Sequence, residues 1–150
     1  MYHYIIKEKL KDIFESLNRG DYEALLKNVS PQITHSFSGS HPIGGTRHTI
    51  ESMRRWFKRL YIITPQIHFT IKKLIVSGFP WNTTAAIEWE DKATPANGEQ
   101  YINKGVHVIK MKWGKAVYIH GYFDTQLFND LCKRLAATGL KEASETPITD

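Results

Sequence analysis

The sequence predicts an α+β domain: a strongly curved antiparallel sheet packed against N-terminal helices that together enclose one pocket. Three observations predict it. Apolar residues recur at helical spacing in the N-terminal part, then switch to period two after Pro65. The period-two segments follow one another without helices between them, which disfavours a parallel nucleotide-binding sheet. The chain's 150 residues suffice for one domain with its own core.

In chain order, Ile6, Leu10, Ile13, Phe14 and Leu17 make the stripe of a first helix, which Gly20 can end in a left-handed conformation. Asp21 suits the N-cap of a short second helix carrying Tyr22, Leu25 and Leu26, and Ser30-Pro31 stops it. Ile33, His35 and Phe37 alternate as a short strand, and Ser38 to Thr46 reads as a Ser-, Pro- and Gly-rich loop. The next helix starts near Thr49 on a stripe of Ile50, Met53, Phe57 and Leu60, with Arg54, Arg55, Lys58 and Arg59 on its solvated side.

Beyond Pro65, Ile67, Phe69 and Ile71 share one phase while Leu74 and Val76 share the other. The shift near Lys72-Lys73 predicts a bulge. Gly78-Phe79-Pro80 turns the chain into a strand from Thr83 to Asp91, with Ala85, Ile87 and Trp89 on one face. After the Asn97-Gly98 turn come a long strand, Glu99 to Trp113, and a last one, Ala116 to Asp124. Leu127, Leu131 and Leu135 mark a final helix that ends near Gly139. Residues 1–140 read as the domain, and 141–150 as a C-terminal tail without periodic signal.

Composition narrows the function. Hydrophobic residues make up 41% and charged residues 23%, which is globular rather than disordered. The net charge is +5, yet Lys and Arg are interleaved with Asp and Glu and no nucleic-acid motif appears, so no nucleic-acid partner is expected. No stretch approaches the ~20 apolar residues of a membrane span, and no membrane partner is expected. The lone Cys132 excludes an internal disulfide and suits a reducing, cytoplasmic home. Gly44-Gly45 lacks the spacing of a phosphate-binding loop. The histidines lack metal-ligand spacing, so neither metal nor cofactor is expected.

The closing hairpin supplies the candidate site. With Gly114 and Lys115 as the turn, Ile109 faces His120, His107 faces Tyr122 and Gly105 faces Asp124. One face then carries Tyr101, Asn103, His107, Ile109 and Met111 beside His120, Tyr122 and Asp124. Polar groups among apolar neighbours need partners or a ligand. A histidine beside a carboxylate is suited to proton transfer, which makes Asp124, His107 and Tyr122 the candidate catalytic residues. His35, Phe37, Trp56, Trp89, Tyr101 and Asn103 would line the pocket of an apolar small molecule. Asp124 equally suits the N-cap of the last helix, and His107 and His35 equally suit structural roles. The opposite face, with Ile102, Val106 and Val108, is also apolar, so a homodimer through the sheet is expected.

Several local motifs carry a resemblance that spans nearly the whole chain. They are Gly20-Asp21-Tyr22, His41-Pro42-Ile43-Gly44-Gly45, Trp56-Phe57, Gly78-Phe79-Pro80-Trp81, Asn103-Lys104-Gly105-Val106-His107, Trp113-Gly114-Lys115 and Tyr122-Phe123-Asp124-Thr125. With these and its order of elements, the chain resembles the SnoaL-like branch of the nuclear transport factor two-like superfamily. That resemblance implies a cone-shaped fold, usually a homodimer, with a pocket between sheet and helices. It also implies cofactor-independent isomerase, cyclase or related chemistry on mostly apolar molecules. In the polyketide cyclases a pocket aspartate acts as general acid/base near a histidine, and Asp124 and His107 match those positions. Many members are non-catalytic, so a ligand-binding or dimerisation domain is the alternative.

Overall fold

Most of the apolar residues in the stripes read from the sequence turn inward in the computed structural model, which describes residues 1–150, although Leu127 is exposed and Phe128 is buried in its place. The helices are α1 (Tyr2–Asn18), α2 (Glu23–Leu26), α3 (Ile50–Ile63) and α4 (Thr125–Ala137). The strands are β1 (Val29–Phe37), β2 (Gly45–Arg47), β3 (His68–Phe79), β4 (Asn82–Ala93), β5 (Tyr101–Lys112) and β6 (Lys115–Phe123). Ile6, Leu10, Phe14 and Leu17 are the buried face of α1. Thr49 caps α3 through a reciprocal capping box, in which its hydroxyl accepts from the Ser52 amide and the Ser52 hydroxyl accepts from the Thr49 amide. Both effects fix where each helix starts and which side it turns inward.

The strands form one six-stranded sheet in the order β2-β1-β6-β5-β4-β3. Every neighbouring pair is antiparallel except β1 and β6, which run parallel. The bulge expected near Lys72-Lys73 is present, as a register shift between Ile71 and Lys73. A second shift lies between Lys110 and Met111. Such insertions bend and twist a strand, and they curl the sheet around α1 and α3.

Three elements depart from the expectation. β1 starts at Val29 and runs through Pro31, because its pairing with β6 is interrupted between Val29 and Thr34 and the missing proline N–H breaks no ladder bond there. β2 lies where a loop was expected; a strand of Gly45–Arg47 is too short to show a period. The C-terminal residues pack onto the domain. Lys141–Ser144 form a 3-10 helix, Ala143 and Ile148 are buried, and the Asp150 carboxylate accepts from the Thr49 hydroxyl.

The closing hairpin turns one residue earlier than expected. Lys112 pairs with Lys115, so Trp113 and Gly114 are the turn residues, at φ 51° and 78°. Two positive φ values match the right-handed twist of the flanking strands. The bulge beyond it then sets Ile109 opposite Ile119, Val108 opposite His120, His107 opposite Gly121 and Val106 opposite Tyr122. A one-residue slip moves every side chain of one strand to the other face, and it decides which groups reach the pocket.

Candidate functional site

Between α1, α3 and the concave face of the sheet lies a cavity of about 70 Å³, lined by 26 residues of which 21 are hydrophobic. That is room for a few waters or the start of a small ligand. Its five polar exceptions are Asn28, His35, Thr64, Asp91 and His107, and Tyr101 adds a phenol hydroxyl to the hydrophobic part.

Period two along β4 turns Ala85, Ile87, Trp89 and Asp91 inward, and all four are buried. On β5 their partners are Ile109, His107, Gly105 and Asn103. Gly105 is glycine for a steric reason. A Cβ there would lie 2.6 Å from the Trp89 ring and 2.5 Å from the Tyr122 carbonyl oxygen. The indole therefore lies over Gly105, and its N–H donates to Nδ1 of His107 at 2.6 Å. With Nδ1 accepting, the imidazole proton sits on Nε2. The ring is wedged edge-on against Phe14 and Phe37, and burial pushes its pKa down to about 4. It is neutral at pH 7.

Phe37 reaches His107 across β6 because Gly121 leaves the space: a Cβ there would stand 2.5 Å from the Phe37 ring. Phe37 also contacts Trp56, with ring centres 4.6 Å apart. The Trp56 N–H donates to the Ile43 carbonyl, which pins the indole. His35 is 2% exposed and packs edge-on to Trp56; its Nδ1 has no hydrogen-bond partner. Burial, reinforced by the Arg47 charge, holds His35 well below the usual histidine pKa.

Asp91 is the sole carboxylate in the cavity wall, at 3% exposure. Burial raises its pKa to about 7; a main-chain hydrogen bond from Asn103 works against that rise, and Glu90 adds to it. Its Oδ1 has no partner. Nearby, the Asn103 side-chain amide donates to the Tyr101 hydroxyl at 2.7 Å and to the Asp124 carbonyl at 3.1 Å. Tyr101 thus accepts from Asn103 and keeps its own O–H to give. Its pKa is raised, by burial first and the Asp91 charge second. A carboxyl that holds or releases a proton near neutral pH stands near a phenol with a free donor, and the neutral imidazole of His107 lines the same apolar cavity further along β5.

Of the residues singled out in the sequence, His107, His35, Phe37, Trp56, Trp89 and Tyr101 line this cavity. Asn103 is buried behind the wall and holds Tyr101 rather than lining the cavity. Tyr122 and Asp124 are corrected. The register slip puts Tyr122 on the outer face of the sheet, 46% exposed and stacked on His120 with ring centres 4.0 Å apart. The Asp124 side chain is exposed and accepts from the Leu127 amide at 3.1 Å, capping α4. Asp91 was missed, although its signal was available: it continues the inward phase of Ala85, Ile87 and Trp89. No group of three histidine, cysteine or carboxylate side chains is placed to hold a metal ion.

Comparison with known proteins agrees with this fold. The model of the SnoaL-like domain matches residues 10–119. No curated protein matches the chain. Among solved structures, PrhC from Penicillium brasilianum superposes with TM-score 0.78 at 19% identity, covering 96% of this chain and 95% of that one. An NTF2-like protein of unknown function from Burkholderia pseudomallei gives TM-score 0.74 at 20% identity, covering 83% and 95%. TerC, co-crystallised with polyporic acid, gives 0.70 at 18% identity, covering 83% and 95%. At these identities the likeness is one of fold.

Proposed function

Because the chain belongs to the SnoaL-like domain family, we propose that it is a cofactor-independent acid/base enzyme of the isomerase or cyclase type. Its substrate is a mostly apolar small molecule held in this cavity, and Asp91 exchanges the proton. The observation that carries the reading is the Asp91 carboxyl, buried in an apolar wall with Oδ1 unpartnered.

A buried carboxyl with a pKa of about 7 populates both protonation states at neutral pH, which suits a group that takes a proton and returns it. As carboxylate, Asp91 removes a proton from a carbon next to a substrate carbonyl. The C–H pair moves into the enolate, and the oxygen that gains charge accepts from the Tyr101 O–H or the His107 Nε2–H. The protonated Asp91 then delivers its proton to another carbon of the same molecule, so nothing is consumed. The aromatic wall excludes water and holds the rings of the substrate. The outward face of the sheet, with Ile102 and Tyr122 open to solvent, supports the homodimer expected from the sequence; sedimentation of Tyr122→Lys against the parent chain tests it.

The second reading is a non-catalytic binding domain for an uncharged apolar molecule. The two neutral histidines in the wall favour it, because they offer orientation without a charge. Proton exchange separates the two. In deuterated water the enzyme reading expects label to enter the α-carbon of cyclic enones, with Asp91→Asn inactive. Exchange undiminished in Asp91→Asn removes Asp91 from the chemistry. A molecule retained through purification, with no exchange in any enone tried, selects the binding domain.

A further inference from the structure

The tips of two hairpins present aromatic rings that the fold does not use. At the β3–β4 turn, Phe79 is 62% and Trp81 54% exposed, and at the β5–β6 turn Trp113 is 72% exposed. Phe79 and Trp81 stack with planes 9° apart, and the Trp113 ring lies next to Trp81. The Trp113 amide donates to the Pro80 carbonyl at 2.7 Å, so the two tips are tied into one surface. None of these rings touches the cavity.

Trp113 also sits at φ 51°, where a bulky residue is out of place and asparagine or glycine would be relaxed. A strained backbone position holding a large apolar ring in water gains nothing for the fold, and such positions gather at functional surfaces.

The surroundings say what covers the rings. From Ile75 to Thr84 and from Val108 to Tyr118 there is no acidic residue, while Lys110, Lys112 and Lys115 are present. Lys9 reaches the same turn, donating to the Gly114 carbonyl at 3.0 Å. Ile5 and Tyr4, at the adjoining end of α1, are exposed as well. Aromatic rings at two exposed hairpin tips, flanked by lysines and with no carboxylate on either hairpin end, match a lipid interface, with Glu8 and Asp12 lying beside Lys9 further along α1: the rings sit at headgroup depth and the ammonium groups meet anionic headgroups.

We propose that the Phe79–Trp81–Trp113 tip docks this protein on the surface of an anionic lipid bilayer. No helix is long and apolar enough to cross a membrane, and docking of this kind needs none. An enzyme or carrier for apolar molecules seated there would draw its ligand from the bilayer that dissolves it.

The experiment is co-sedimentation of the full chain with vesicles of phosphatidylcholine containing one third phosphatidylserine, and with phosphatidylcholine alone. The chain is expected to bind the anionic vesicles, to bind the neutral ones more weakly, and to be released by salt. The Lys112→Glu/Lys115→Glu pair is expected to lower anionic-vesicle affinity by about tenfold or more. The Trp81→Ser/Trp113→Gly pair is expected to abolish binding and to remove the blue shift of tryptophan emission, with far-ultraviolet dichroism unchanged. No vesicle binding by the parent chain overturns the proposal, as does binding unaffected by both pairs. Concentration-dependent self-association that disappears in Trp81→Ser/Trp113→Gly, without vesicle binding, assigns the tip to a second copy of the chain and overturns it too.

Discussion

The indole N–H of Trp89 donates to Nδ1 of His107 across 2.6 Å, between neighbouring strands of the concave face. The bond sets the histidine tautomer, and it exists because Gly105 gives the indole room to lie flat. His107→Phe keeps most of the volume and removes the acceptor. The unpaired buried N–H is expected to cost about 1–3 kcal/mol at pH 7, read as a lower denaturant midpoint. The sign with pH follows from the folded pKa of about 4, below the ordinary 6.5. The neutral ring's contribution is whole above pH 6.5 and is lost as pH falls toward 4. The deficit of His107→Phe is therefore expected to shrink between pH 7 and pH 4.

Asp91 titrates with the opposite sign. Its folded pKa of about 7 lies above the ordinary 3.8, so protonation favours the folded chain. That advantage is whole below pH 3.8 and is lost as pH rises toward 7. Above pH 7 the fold carries a buried carboxylate with one unpartnered oxygen. Asp91→Asn removes the charge. It is expected to raise stability at pH 8, by an amount on the order of 4 kcal/mol less the cost of burying the amide. It is expected to gain nothing at pH 4. Thermal melts of both chains across that range check it. An equal offset at both pH values would mean that the carboxyl titrates normally.

Gly121 holds open the space that Phe37 fills, and Phe37 cannot swing aside because Trp56, His107 and Phe123 surround it. Gly121→Ala is expected to destabilise by about 1–3 kcal/mol through overpacking. Phe37→Leu in the Gly121→Ala background should recover part of that loss. A double-mutant cycle with a coupling of about 1 kcal/mol or more places the two residues in one contact. Strict additivity would mean that the added methyl is absorbed elsewhere.

The legible part of this fold was the part written in period. The stripe of α1, the phase change at Lys72-Lys73 and the inward run Ala85-Ile87-Trp89 each appear where the spacing put them. Side-chain alternation is a local property, and burial enforces it. The pairing of β5 with β6 is a different kind of fact. It depends on whether Trp113-Gly114 or Gly114-Lys115 makes the turn, and on a bulge that composition does not announce. Tryptophan is an unusual residue for a left-handed turn position, which hides the Trp113-Gly114 turn; that step alone shifts the pairing by two residues and keeps the faces, whereas the bulge shifts it by one and turns Tyr122 outward. Asp91 was lost for a different reason. It closes a strand whose hydrophobic phase had already been read, and a carboxylate at the end of such a phase looks like the solvated start of a loop.

Asp124 tests where that line falls. The sequence offered its carboxylate either as the acid/base or as the cap of α4, and in the structure it accepts from the Leu127 amide. A cap needs an oxygen, not a charge. Asp124→Asn is therefore expected to melt within a few tenths of a kcal/mol of the parent, and Asp124→Ala to lose about 1 kcal/mol. Both should bind a cavity ligand as the parent does, because the side chain lies outside the wall. Chemistry at Asp124 predicts another pattern: Asp124→Asn folded and equally stable, yet without turnover. Melting curves and α-proton exchange on the same two variants decide between the cap and the catalyst.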